Sequence, residues 1–73
     1  MLNAEKIGLL EEVMDLEKGT LTEDSILSDF EEWDSLSKLS LIAMARKEFN
    51  KVINANEIKS FNTVKDICKY LEA

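Results

Sequence analysis

Nothing in this sequence can staple a fold together. Cys68 is the single cysteine among 73 residues and there is no histidine, so an internal disulfide and the usual zinc sites are both out of reach. A chain this short stands near the lower size at which buried apolar surface alone supports folding, which leaves one domain, residues 1–73, and little room for an enclosed active site. Stability must come from amphipathic elements packed on one another. The same absences remove the Ser-His and Cys-His pairs of nucleophilic catalysis.

The apolar residues recur at helical spacing. Asn3 can cap a first helix over roughly residues 4–16, with Ile7, Leu10 and Met14, joined by Leu9, Val13 and Leu16, as its apolar stripe. Glu5, Glu11, Glu12 and Asp15 fill the other side and read as a solvated face. From Glu17 to Asp34 the repeat fails: Lys18-Gly19-Thr20 is a turn signal, and Thr22, Asp24, Ser25, Ser28 and Asp29 add cap and turn chemistry. So long a connection needs pinning, which Leu21, Ile26, Leu27 and Phe30 can supply, with room for a short helical turn. Asp24 and Asp29 lack the alternating oxygen ligands, central glycine and terminal glutamate of a calcium loop.

A second helix is expected from about Ser35 to Phe49, stopping near Asn50, with Leu36, Leu39, Ile42, Ala43 and Phe49 toward the core. Leu41, Met44 and Ala45 widen its apolar surface, as suits a central helix of a bundle. Asn54-Ala55-Asn56-Glu57 is a capping box for a short third helix anchored by Ile58, with Val52 and Ile53 packing the loop before it and Phe61 plugging the joint after it. A last helix starts at Thr63-Val64-Lys65-Asp66, with Val64, Ile67, Cys68 and Leu71 as its buried stripe and Tyr70 at the core edge, its hydroxyl in water. Cys68 reads as a small core residue. The expected fold is an all-α four-helix bundle, the third helix short, with a long loop between the first two.

Charge narrows the function. The net charge of −6 argues against nucleic acid, whose phosphates need a basic face, and favours basic protein partners. Residues 1–34 hold eleven acids against two lysines, whereas residues 35–73 hold four acids against seven bases, so the halves present different faces. The amino terminus lacks a basic region followed by an apolar core, and no apolar run reaches membrane-spanning length. A cytoplasmic, untargeted protein acting as a monomer is the expectation.

The two halves meet at Glu31-Glu32-Trp33-Asp34-Ser35-Leu36-Ser37-Lys38-Leu39-Ser40-Leu41, where an acidic loop runs into an apolar helical repeat. A helix starting at Ser35 leaves its first N–H groups without intrahelical partners and gathers partial positive charge, an environment suited to phosphate. Asp34 is a favoured N-cap, and Ser35, about one residue's rotation from Leu36, can present its hydroxyl to solvent. Taken alone, Ser35 could be only a residue at a helix start.

Asp34-Ser35-Leu36, placed mid-chain after a long loop and opening the second helix, resembles the attachment site of acyl carrier proteins, and the resemblance extends over nearly the whole chain. It implies that Ser35 receives phosphopantetheine from coenzyme A through a separate phosphopantetheinyl transferase using magnesium, and that the domain is no enzyme itself. Asp34 would cap the helix and serve transferase recognition, and Leu36 would insert into the transferase and other partners. Acyl groups would ride as thioesters on the arm to acyl-transferring enzymes of lipid, polyketide or other specialised biosynthesis. Trp33, Ser37, Ser40, Met44 and Ile58 would contact partners or the acyl chain, Trp33 and Met44 having plain packing as their other reading. No metal ligands are expected in the chain. The sequence departs from housekeeping fatty-acid carriers in having Glu31, Glu32 and Trp33 before the serine, and Lys38, Arg46 and Lys47 on a second helix that is usually acidic. Those departures point to a dedicated carrier. An aminoacyl or peptidyl carrier loaded by an adenylating enzyme, and a helical interaction module without prosthetic group, are the alternatives.

Overall fold

The computed structural model describes residues 2–72. Among them the chain forms α1 (Asn3–Val13), a 3-10 turn at Leu27–Asp29, α2 (Ser35–Phe49), α3 (Ala55–Ser60) and α4 (Val64–Glu72). This is the expected all-α bundle, with a long first connection and a short third helix. One core runs through it: Leu10 and Met14 from α1, Leu21 and Leu27 from the long loop, Leu41 and Ala45 from α2, Ile53, Ile58 and Phe61 around α3, and Val64, Ile67, Cys68 and Leu71 from α4. The α4 stripe is the one its spacing predicts. Helix α1 packs against both α2 and α4.

Helix α1 is shorter than its periodicity predicts. It is preceded by Leu2 in extended conformation, not by a capping Asn3, and the Glu5 carboxylate accepts from Leu2 N at 3.1 Å. Asn3 instead donates across to Glu23 at 3.0 Å. Asp15 takes a left-handed φ of 57°, and Leu16 N then donates back to the Glu11 carbonyl at 2.8 Å, closing the helix end. Leu16 therefore lies beyond the helix.

Two charged side chains expected in solvent or left unassigned are buried. Glu11 is 3% exposed, a correction to the solvated acidic face. Its Oε2 accepts from both Gly19 N and Leu21 N at 2.9 Å, so it satisfies backbone donors where the loop turns back over the bundle. Lys6, 4% exposed, donates to the Cys68 carbonyl of α4 at 3.4 Å and to Asn3 Oδ1 at 3.5 Å, so its buried ammonium has polar partners.

The long loop is pinned as expected by Leu21 and Leu27, while Ile26 is about half exposed and Phe30 packs partly against the core. Backbone bonds hold it to the α3–α4 joint: Leu27 N to Asn62 O at 2.9 Å, Val64 N to Ser25 O at 3.1 Å and Lys65 N to Glu23 O at 3.0 Å. At that joint Asp66 Oδ2 accepts from Asn62 N and Thr63 N at 2.9 and 3.0 Å, capping α4. Those two amides hold the Asp66 carboxyl below its ordinary value, the Asn62 amide contributing most.

The largest correction concerns α2. Its buried line is Ser37, Leu41 and Ala45, spaced by four, with Ile42, Met44 and Phe49 partly buried beside it. Leu36 and Leu39, expected in the core, are 73% and 64% exposed, and Ala43 is exposed as well. The helix is apolar around so much of its circumference that spacing fits two faces. Packing selects the line whose small members, Ser37 and Ala45, allow close approach of neighbouring elements. Helix α2 ends as predicted at Asn50, left-handed with φ 53°, whose N–H bonds back to Arg46 O at 3.2 Å.

Candidate functional site

Helix α2 starts where its N-cap chemistry puts it. Asp34 is extended, and its Oδ1 accepts from Ser37 N at 2.9 Å while its carbonyl takes Lys38 N at 3.0 Å. The N–H groups of Ser35 and Leu36 then belong to the free, partially positive end of the helix. Ser35 is the first helical residue, and it is exposed. Leu36 is exposed beside it.

The helix start separates two recesses. On the α3 side a groove of about 340 Å³ is lined by Ser35, Lys38, Leu39 and Ile42 of α2 and by Ala55, Ile58 and Lys59 of α3. On the α1 side a recess of about 280 Å³ is lined by Val13, Met14, Asp15, Glu32, Asp34, Leu36, Ser37 and Ser40. The first is apolar between two lysines, the second rich in carboxylates. Trp33 is half-buried on the core, and the Lys38 ammonium stands 5.7 Å from its ring centroid, within range of a cation–π contact.

The structure gathers some of the expected site residues and separates others. Trp33, Asp34, Ser35 and Leu36 are consecutive at the helix start, and Ile58, only 6% exposed, lines the same α3 groove as Ser35. Ser40 is half-buried on the α1 side. Ser37, expected as a partner contact, is 7% exposed on the core line of α2, a correction to its placement among the contact residues, although it borders the α1-side recess. Met44 packs partly against the core and lines neither recess. Lys38, Leu39, Ile42, Ala55 and Lys59 were not anticipated as neighbours of Ser35. Residues 35, 38, 39 and 42 fall on one face at i, i+3, i+4 and i+7, a signal that was legible once Ser35 was singled out. That α3 closes the same groove has no counterpart in the spacing.

The other reactive groups lie apart from Ser35. The Cys68 thiol is buried, and burial pushes it above its ordinary value despite the opposing charge of Lys6. The Tyr70 hydroxyl, expected in water, donates to the Val52 carbonyl at 2.9 Å. The Glu57 carboxylate also competes for that phenolic proton, which lowers Glu57, helped by the Asn54 amide, and raises Tyr70. Among the described residues no group of three acidic, cysteine or histidine side chains is placed to hold a metal ion, and no helix is long and apolar enough to cross a membrane.

Ser35 is thus an exposed serine at a rigid helix start, at the partially positive end of α2. A phosphoryl-linked group fits there, since its negative charge would face the positive end of α2. No curated protein and no solved structure matches the chain. The family model described as phosphopantetheine attachment site matches residues 7–71, nearly the whole sequence and all four helices in whole or in part. The chain therefore belongs to the phosphopantetheine attachment site family, the carrier domains to which that prosthetic group is covalently bound.

Proposed function

We propose that Ser35 is the acceptor of phosphopantetheine and that the domain is a discrete acyl carrier of a specialised biosynthetic pathway, without catalysis of its own. The observation that supports this best is the placement of Ser35: exposed, first in α2, behind an Asp34 cap and at the mouth of an apolar groove. The group supplies a thiol on a flexible arm, which holds a carboxylic acid activated for acyl transfer and raises its local concentration at each partner enzyme.

The chain's own residues define and display that anchor. Asp34 is committed to Ser37 N, so it fixes the helix start and does not act as a base; the Ser35 oxygen bonds to the pantetheine-side phosphorus of coenzyme A as adenosine 3′,5′-bisphosphate leaves, and the hydroxyl proton goes to a base of the phosphopantetheinyl transferase. Leu36 and Leu39 offer apolar contact to that transferase and to the acyl-activating and acyl-transferring enzymes that follow. Glu31, Glu32 and Asp34 present acids before the anchor, while Lys38, Arg46 and Lys47 present bases after it. Such small charged contacts favour fast, exchangeable docking over tight binding.

Incubation with coenzyme A, magnesium and a broad-specificity transferase tests the assignment. Intact mass rises by one phosphopantetheine in the wild type and in Ser28→Ala and Ser60→Ala, and is unchanged in Ser35→Ala. Modification that persists in Ser35→Ala, or a wild-type mass that never moves, overturns it.

A further inference from the structure

The α1-side recess is acidic, and no basic residue lines it. Asp15, at the end of α1, and Glu32 and Asp34, in the loop that enters α2, bring exposed carboxylates to its rim. Asp15 is held there by the left-handed φ of 57° that closes α1. Among the described residues no three acidic side chains are placed to hold a metal ion, so the acids do not converge on one point. Below them Ser37 is only 7% exposed; its N–H donates to Asp34 at 2.9 Å, and its hydroxyl has no hydrogen-bond partner among the described residues. That hydroxyl is not sealed from solvent, so it opens on the recess that the residue lines. A flat partner surface cannot reach it, whereas a side chain entering the recess can. Val13, Met14 and Leu36 supply apolar walls, and a volume of about 280 Å³, roughly nine water volumes, holds one long side chain.

These features select the guanidinium of arginine. Its five N–H groups fan out in one plane and reach separate carboxylates and a hydroxyl together, where an ammonium is a compact point charge. Its stem can lie along Val13 and Leu36 while the head stays among the acids. Charge also sets the direction of approach: Lys38, Arg46 and Lys47 on α2 repel a basic partner, and the acids stand on the α1 side. Resting on the carrier reading above for the partner's identity, we infer that the enzyme acting on the arm docks from the α1 side by seating an arginine side chain in this recess.

Amide shifts of the unmodified protein, titrated at low salt with acetyl-Leu-Arg-Leu-amide and with its neutral citrulline counterpart, test this. The expected shifts centre on Met14, Asp15, Glu32 and Ser37, and the arginine peptide binds tighter than the citrulline peptide by about twofold to thirtyfold, the range for two exposed ion pairs. The lysine counterpart falls between them. The double variant Asp15→Asn with Glu32→Gln abolishes the preference; it folds, because asparagine tolerates the left-handed backbone at position 15 and Glu32 is exposed. Equal affinity of the arginine and citrulline peptides overturns the inference, as does a preference that survives the double variant. Lysine binding as tightly as arginine, or shifts confined to Leu39, Ile42 and Ala55 of the α3 groove, also overturns it. None of these outcomes touches the mass increment at Ser35, whereas absence of that increment removes the enzyme as partner whatever the peptides do.

Discussion

Replacing Glu11 isolates the device that holds the long loop. In Glu11→Ala the Leu21 N–H loses its acceptor in a setting where the residue is only 5% exposed, while Gly19 N–H, in an exposed residue, regains water. A hydrogen bond to a charged group is worth about 1.5–3 kcal/mol, and an orphaned buried donor costs about 1–3 kcal/mol, so with the Gly19 bond largely compensated the loss is about 2–4 kcal/mol. A domain of this length holds about 4–11 kcal/mol in all. At about 4–8 °C per kcal/mol for domains of this size, Tm should fall by about 10–25 °C. Glu11→Gln keeps an oxygen that can accept both bonds and loses the charge assistance, a cost of about 1 kcal/mol. Thermal unfolding followed by circular dichroism measures both variants, and amide exchange at Leu21 reports the loop directly. A Tm loss below about 4 °C in the alanine variant, or an equal loss in both variants, refutes the reasoning, because either result means the two bonds do not hold the loop.

Two further outcomes follow from the placement of other side chains. Leu41→Ala, at a fully buried position, should lower stability by about 2–5 kcal/mol in denaturant titration, whereas Leu36→Ala and Leu39→Ala should stay within about 0.5 kcal/mol and raise the KM of the transferase for this protein. Asp66 has its carboxyl held below the ordinary 3.8 by the Asn62 and Thr63 amides, so its contribution is complete above that value and fades as pH falls through the lower folded value. Unfolding midpoints measured down through that window should therefore decline less steeply in Asp66→Asn than in the wild type.

What the sequence made legible was local. The caps at Asp34 and Asn54, the stop at Asn50, the loop turn at Gly19 and the α4 stripe of Val64, Ile67, Cys68 and Leu71 depend on neighbours within four residues, and the structure has each of them. What stayed hidden was set by partners distant in the chain. Glu11 resembles its exposed neighbours Glu5 and Glu12, and only the return of the loop to offer Gly19 and Leu21 N–H groups makes it an interior residue. Lys6 is drawn inside in the same way by the Cys68 carbonyl, 62 residues away. The exposed hydroxyl of Ser35 was readable from its cap; the lysine-flanked groove beside it was not, because α3 supplies half the wall.

The rotation of α2 links the fold to the site. Had Leu36 and Leu39 faced the core, each would have gained about 1.5–3 kcal/mol from burial. The bundle instead buries Ser37, Leu41 and Ala45 and leaves those two leucines in water. A single exposed leucine means little. Two of them one turn apart, both on the same side of Ser35 around the helix, forgo burial together, Leu39 in the groove that Ser35 lines and Leu36 in the recess on the α1 side. Because all three residues share a rigid helix, turning the leucines inward would carry the hydroxyl with them toward the core. The same packing choice that exposes Ser35 thus exposes Leu36 and Leu39 beside it, so a partner that approaches the serine meets apolar surface there.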